Sequence, residues 1–349
     1  MKIIKTSQSR LSKTDFSNLP FGRIFSDHML VCNFKNNNWQ TPEIVPYGPI
    51  KMTPATQALH YGQSIFEGMK AFKNDSNEIL LFRKKDNLRR LNRSAKRLSI
   101  PEVPDDIFLS GLDQLLHLDQ NWCIKDDSYS LYIRPFIFAS AEYIKACESD
   151  EYKFVIITSP TTTYYTSDID VIIEEKYTRA ASGGVGFAKA SGNYAASFYP
   201  AKIAKNKGFT QIIWTDAKEH RYIEEAGTMN IWFVIDSKLI TPKLTDSILA
   251  GITRDSVIKI ANDLNIEVEE RDVSVEELIE ANKNHILQEA FGTGTAVTIS
   301  SINSITYRDE KIILPKKSNP KSLEIKTIFQ KIQRGRYPDK YSWVSKLSI

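Results

Sequence analysis

Cysteine is scarce in this chain. Its 349 residues hold three, Cys32, Cys123 and Cys147, too few and too scattered for a disulfide framework or a paired-cysteine zinc site. A reducing compartment is therefore the expected setting. Long hydrophobic runs are missing as well. No stretch approaches the roughly 18 apolar residues needed to span a bilayer, and Met1-Lys2-Ile3-Ile4-Lys5-Thr6 lacks the apolar core of a secretory signal. The expectation is a cytoplasmic protein without a membrane partner. Nor does one sign of charge dominate: 46 Lys and Arg face 42 Asp and Glu, a net charge of +4, with both signs interspersed. A nucleic-acid partner would call for a basic stripe, so none is expected. The five histidines, His28, His60, His117, His220 and His285, show no metal-ligand spacing, and no metal is expected. A nucleophile elbow, a P-loop and a dinucleotide fingerprint are all missing, which removes the serine hydrolases, the P-loop enzymes and the Rossmann dehydrogenases.

What is present is an ordinary globular composition, with 42% hydrophobic residues, in a chain long enough for two cores. Ile79–Phe82, Tyr129–Phe138 and Tyr152–Thr158 read as strands rich in β-branched and aromatic residues. Leu88, Leu91, Ala95 and Leu98 recur at helical spacing within the basic stretch Arg83–Arg97. Between Ser159 and Ala181 the texture changes, which places an interdomain linker at 163–178, between a domain at 1–162 and one at 179–349. The second half predicts a helix over 195–206 that ends before Gly208. Strands follow at Gln211–Trp214 and Ile231–Ile235. A further helix opens at Gly251-Ile252-Thr253, with Val257, Ile260, Ala261 and Leu264 on one face. Strands and helices alternate without regular βαβ spacing, so the fold class is α/β with α+β character rather than a doubly wound sheet.

Three junctions carry candidate chemistry. Gly251-Ile252-Thr253 opens a helix, where unpaired N–H groups and the positive dipole end suit a phosphate. Gly292-Thr293-Gly294-Thr295-Ala296 combines small residues, hydroxyls and backbone N–H groups, a composition suited to anions. Lys189, in a Gly- and Ser-rich loop, could be a partly desolvated amine able to form a Schiff base. On residue chemistry alone the plainer readings, a helix cap, a tight turn and a solvated lysine, are the commoner ones.

Taken in order along the chain, a longer set of segments resembles the branched-chain amino acid aminotransferases, pyridoxal-phosphate enzymes of fold type IV. The segments are Phe21–Leu30, Leu59-His60-Tyr61-Gly62, Phe66–Phe72, Leu91–Ala95, Tyr132-Ile133-Arg134-Pro135, Lys189–Tyr194, Glu225–Asn230, Gly251–Arg254, Gly292–Ala296 and Ile332-Gln333-Arg334-Gly335. The resemblance implies two domains, a smaller N-terminal α/β one and a larger, β-rich C-terminal one that binds pyridoxal 5'-phosphate. It implies that Lys189 is the Schiff-base lysine and catalytic proton shuttle, that Glu225 pairs with the pyridinium nitrogen, and that Tyr194 hydrogen-bonds the cofactor's phenolic oxygen. Arg90, Thr228, the Ile252 and Thr253 backbone and Thr295 are implied to hold the phosphate.

On the substrate side, Phe21, Tyr61, Phe66 and Tyr164 match the family's pocket walls. Tyr132 and Arg134 alternate on one strand and can face the same side. Tyr132 and the Thr295-Ala296 turn are implied to meet the α-carboxylate, and Arg134 the distal carboxylate of glutamate. The implied reaction is reversible, ping-pong transfer of an amino group between L-leucine, L-isoleucine or L-valine and 2-oxoglutarate, which serves branched-chain amino acid biosynthesis or degradation alike. A homodimer is implied, with the loop Ala141–Ala146 closing over the neighbour's pocket. A D-amino-acid transaminase, an aminodeoxychorismate lyase and a non-catalytic pyridoxal-phosphate module are the alternatives on the same fold. Two departures stand out. Val297-Thr298-Ile299-Ser300 replaces the cysteine pair of the mammalian enzymes, so no thiol switch operates there. Ser191 stands where many relatives have glycine.

Overall fold

A computed structural model describes residues 1–162 and 168–347. The chain forms two compact units, Met1–Tyr164 with Ala188–Gly192 and Ile332–Ile349, and Tyr165–Phe187 with Asn193–Lys331. Both mix sheet and helix, as the α/β class requires.

The first unit is built on a ten-stranded sheet whose main path runs Lys2–Ile3, Glu43–Pro46, His28–Lys35, Tyr152–Thr161, Ser130–Ala139, Met69–Lys73, Ile79–Phe82 and Val344–Lys346. Most pairings are antiparallel, and the long central pair matches Ser130 with Thr161 and Ala139 with Tyr152. Helices Lys84–Arg97 and Gly111–Leu118 contribute Leu88, Leu91, Ala95, Leu112, Leu115 and Leu116 to its core. The spacing of three and four places these side chains on single helix faces, and burial of such a face holds a helix that would be marginal alone.

The second unit carries a nine-stranded sheet, with main path Ile223–Ala226, Gln211–Thr215, Ile169–Ile173, Thr298–Tyr307, Leu287–Gly294, Met229–Ile235, Lys238–Thr241 and Val268–Glu270. Met229–Ile235 is buried at every position. Apart from Asn230 its residues are apolar, and such a run marks a strand covered on both faces.

The expected boundaries differ from this division. Within the expected linker 163–178, Ile169–Ile173 is an interior strand, parallel to both Gln211–Thr215 and Thr298–Tyr307. Its alternation buries Ile169, Val171 and Ile173, and that burial outweighs the change of texture on which the linker was placed; 163–167 lie outside the described residues. The expected C-terminal domain also loses two segments. Residues 188–192 and 332–349 group with the first unit, which is thereby the larger. Val344–Lys346 pairs there with Ile79–Phe82, and Ala190 bridges to Ile65. The helix expected over 195–206 begins earlier, at Ser191.

The N-terminal segment that leads to Phe21 is tied down by two buried acids. Asp27 accepts from the Ser9 hydroxyl at 2.5 Å, the Arg10 N–H at 2.8 Å and the Trp122 indole at 2.9 Å. Asp119 takes the His28 N–H at 2.9 Å and its Nδ1 at 2.6 Å, while the Thr6 N–H donates to His28 Nε2. The imidazole proton therefore sits on Nδ1. Burial pushes the Asp27 carboxyl up, but the hydrogen bonds from Arg10, Ser9 and Trp122 and the Arg10 charge more than offset this, leaving it below its ordinary value. Such a group stabilises the fold above its unfolded value, near 3.9, and loses that contribution as pH falls through the folded one. Asp27→Asn should cost about 1–3 kcal/mol at neutral pH. The gap from wild type in urea unfolding should narrow below about pH 4; a gap undiminished at low pH would contradict this account.

Candidate active site

In the first unit, helix Lys84–Arg97 presents Arg90 and Ser94, one turn apart, on its buried face. Of the neighbouring basic residues, Lys85 and Arg89 are exposed, whereas Lys84 pairs with Asp113 at 2.7 Å. The stretch is thus only partly a solvated basic face. Arg90 pairs in bidentate fashion with Glu67, Nε to Oε1 at 2.7 Å and Nη2 to Oε2 at 2.8 Å, and Glu67 is completely buried. Ser94 donates its hydroxyl to the Arg90 carbonyl at 3.0 Å and accepts the Lys189 N–H at 2.9 Å. The Lys189 carbonyl accepts the Phe66 N–H at 3.1 Å. The lysine backbone is thereby held on two sides.

Around it stand the expected wall residues. The Lys189 ammonium lies 5.0 Å from the Phe66 ring centre, and the Arg134 guanidinium lies 4.6 Å over Phe66 and 5.3 Å over Tyr132. Arg134 Nη2 donates to the Tyr132 hydroxyl at 2.9 Å, so the two residues do share a side of strand Ser130–Ala139. Phe21 meets Tyr132 edge-on at 5.0 Å. Gly68 leaves room for that tyrosine, since a Cβ there would sit 2.2 Å from its hydroxyl. Arg134 Nε is buried with no hydrogen-bond partner among the described residues, which suits an anionic ligand. Tyr61 is 46% exposed, its ring against His60, and the structure does not bring it into this group. Tyr164 lies outside the described residues.

In the second unit, Glu225 lies on strand Ile223–Ala226, opposite Asn230 on Met229–Ile235. The connecting turn holds Gly227 at φ +56°, a left-handed conformation that favours glycine. Glu225 is buried. Its Oε1 accepts the Leu249 N–H at 2.8 Å, and Arg179 Nε stands 3.0 Å from Oε2. That N–H is not aligned for a hydrogen bond, so the contact acts as an ion pair that balances a buried carboxylate. Arg179 is itself tied to the carbonyls of Gly186 and Ser247. Tyr194, Glu225 and Thr228 line one cleft with Arg179, Asn193 and Ser197.

The two anion-type turns reach the same hairpin. Helix Ile252–Asp263 starts after Gly251, and a Cβ on Gly251 would lie 2.0 Å from Asn230 Oδ1. The Asn230 amide donates to the Leu249 carbonyl at 2.9 Å. On the other side, a Cβ on Gly294 would lie 3.8 Å from the Thr228 carbonyl, so the Thr295-Ala296 turn adjoins Thr228. Glu225, Thr228, the helix start at Ile252 and Thr253, and Thr295 are therefore linked through Asn230 and Gly294. A phenol, a carboxylate, hydroxyls and a helix N-terminus fit the polar edge of pyridoxal phosphate; within the first unit, Arg90 and Lys189 offer a guanidinium and an amine, groups suited to a phosphate and an aldehyde.

Three functional neighbours were not legible from the sequence. Glu67, Ser94 and Arg179 carry no motif chemistry of their own. Glu67 and Ser94 fall inside matched segments and show their importance only through Arg90 and Lys189, while Arg179 borders the stretch taken for a linker.

Comparison with known proteins completes the picture. The family model for class IV amino-transferases matches residues 64–305. A Staphylococcus epidermidis protein named probable branched-chain-amino-acid aminotransferase is 43% identical over 342 residues, 96% of this chain and 95% of that protein. The branched-chain aminotransferase of Thermoproteus uzoniensis, solved with norvaline, superposes with a TM-score of 0.77 at 26% identity, over 92% of this chain and 100% of that one. The T.th. branched-chain amino acid aminotransferase, solved with N-(5'-phosphopyridoxyl)-L-glutamate, gives 0.73 at 25% identity, over 91% and 98%. The fold is that of the type IV branched-chain aminotransferase structures. The chain belongs to the class IV aminotransferase family.

Gly251→Ala tests the junction between the acid and the helix start. The new methyl would force Asn230 off the Leu249 carbonyl, and a loss of about 1–3 kcal/mol in unfolding free energy is expected. Unchanged stability by chemical denaturation would show that the close approach carries no weight.

Proposed function

We propose that this class IV aminotransferase is a branched-chain amino acid aminotransferase. It exchanges the amino group between L-leucine, L-isoleucine or L-valine and 2-oxoglutarate, with pyridoxal phosphate as cofactor. The observation that carries the reading is the Arg134 guanidinium stacked on Phe66 and Tyr132 beside Lys189. A site that takes alkyl side chains in one half-reaction and glutamate in the other needs an aromatic wall containing one cation. The names of the relatives point the same way, and the T.th. complex supports the cofactor.

When bound, pyridoxal phosphate supplies an electron sink for the carbanion formed at the amino acid's Cα. Lys189 Nζ would hold the cofactor through its aldehyde and would serve as the base that takes and returns the proton at the substrate Cα. Glu225, its charge balanced by Arg179, keeps the proton on the ring nitrogen. Tyr194 steadies the phenolic oxygen. Arg90, Thr228, the Ile252 and Thr253 N–H groups and Thr295 hold the phosphate. Tyr132 and the Thr295-Ala296 turn would receive the α-carboxylate and Arg134 the distal one, with Phe21 and Phe66 as the apolar wall.

A cytoplasmic homodimer fits this reading. Cys32 and Cys123 are buried free thiols, and among the described residues no helix is long and apolar enough to cross a membrane. Ile144, in the candidate loop Ala141–Ala146, is 69% exposed, which suits a partner contact. Sedimentation should give twice the chain mass, and a monomer of full activity would remove the dimer from the account.

Purified protein should show the visible band of a lysine-bound pyridoxal phosphate, and L-leucine should convert it to the amine form. D-Alanine should not. Lys189→Ala should lose both the band and turnover, and Glu225→Gln should lower kcat at least about tenfold, equivalent to roughly 1.4 kcal/mol. Double-reciprocal plots should be parallel. Intersecting lines, or conversion by D-alanine in preference to L-leucine, would defeat the assignment.

A further inference from the structure

We infer that Glu67 and Ser94 are positioning residues that set the arginine and the lysine of the cofactor site, Ser94 from the helix that carries Arg90 and Glu67 from the end of strand Ser64–Phe66. This rests on the roles proposed above for Arg90 and Lys189. Neither Glu67 nor Ser94 is assigned to touch substrate or cofactor; each acts through a neighbour.

Ser94 is fully buried and uses its hydroxyl twice, donating to the Arg90 carbonyl and accepting the Lys189 N–H. The second bond matters more. The loop of Lys189 is not part of a regular ladder at that N–H, so Ser94 Oγ fixes the lysine's backbone relative to the helix. Removing it leaves a part-buried donor without its acceptor, a cost that moving the loop would relieve. Glu67 holds the other group. Two parallel bonds of 2.7 and 2.8 Å fix the plane of the Arg90 guanidinium as well as its position. Glu67 is in turn anchored through its own N–H, which donates to the Pro135 carbonyl at 2.7 Å, one residue beyond Arg134. Phe66, which precedes it, donates to the Lys189 carbonyl. The strand Ser64–Phe66 and the helix thus grip the Lys189 loop from its two polar sides.

Two opposing effects follow from removing the Glu67 charge. Loss of a carboxylate near the phosphate reduces repulsion, whereas loss of the fork frees the guanidinium to rotate. The orienting effect is expected to win, because a buried guanidinium deprived of its planar partner will seek other acceptors before the phosphate arrives.

The two residues have separable signatures. Apoprotein is titrated with pyridoxal phosphate and, separately, with pyridoxal, which has the aldehyde but no phosphate, and the visible band is followed. Glu67→Gln should raise the dissociation constant for pyridoxal phosphate roughly tenfold while leaving that for pyridoxal unchanged. Glu67→Asp, which keeps the charge on a shorter stem, should show a smaller loss confined to the phosphorylated ligand. Ser94→Ala should weaken both ligands by the same factor and shift the pH titration of the band. The proposal falls if Glu67→Gln and Glu67→Asp weaken both ligands alike, if Glu67→Gln tightens pyridoxal phosphate, or if Ser94→Ala leaves both affinities and the titration untouched. Failure of the underlying reading looks different: wild-type protein would then show no band, or Lys189→Ala would retain it.

Discussion

A guanidinium buried against a fully buried carboxylate, Arg90 with Glu67, is the constraint around which the first unit's polar interior is arranged. Taking both charges out of water is costly, and their attraction roughly repays that cost only when the geometry is good. A pair of apolar residues would serve stability as well. What the ion pair adds is position. Its bidentate geometry fixes the guanidinium plane, and the helix that carries Arg90 also carries Ser94, on whose hydroxyl the Lys189 loop rests. In the roles proposed for them, the Lys189 amine at one carbon atom and the Arg90 cation at a phosphate a fixed covalent distance away would gain from sharing a rigid mount.

The second unit solves a parallel problem with the same elements. Glu225 is also a buried carboxylate facing an arginine, Arg179, but here the hydrogen bond comes from a backbone N–H, that of Leu249. Leu249 connects onward: its carbonyl takes the Asn230 amide, and Asn230 lies against Gly251 at the start of helix Ile252–Asp263. The carboxylate and the start of this helix are therefore not independent features. Gly251 is tolerated at the N-cap, where it brings no side-chain oxygen, because any larger residue would displace Asn230.

How much of this was legible in the sequence follows from the kind of signal each residue gives. Periodicity located helix Lys84–Arg97 through Leu88, Leu91 and Ala95, and β-branched runs located Met229–Ile235, because burial of one face or both leaves a pattern in the chain itself. The domain division was less legible. Ile169–Ile173 alternates as a strand should, but whether a strand joins a sheet depends here on partners forty or more residues away, and no local pattern carries that information. The final strand, Val344–Lys346, is too short to announce itself; its place is fixed by Ile79–Phe82. Site residues divide in the same way. Lys189, Tyr132 and Arg134 have spacing or loop context that can be read locally. Glu67, Ser94 and Arg179 owe their importance to contacts 23, 95 and 46 positions away along the chain, Glu67 with Arg90, Ser94 with Lys189 and Arg179 with Glu225.

The stacked arginine offers a physical route to the double specificity of the proposed reaction. A guanidinium is weakly hydrated on its flat face, and its donors lie only around its edge. In this structure the Arg134 guanidinium lies 4.6 Å over Phe66 and 5.3 Å over Tyr132, Nη2 donates to the Tyr132 hydroxyl, and Nε is buried without a hydrogen-bond partner among the described residues. A leucine side chain beside such a group meets aromatic rings and a cation already partly satisfied, so its entry strands little additional polarity. A glutamate side chain finds an unspent N–H and a positive charge in a medium where both act more strongly than in water. The same wall can thus accept both substrates without a large rearrangement. A lysine in this position would not serve, because its compact and strongly hydrated ammonium would have to be stripped of water whenever the alkyl substrate bound.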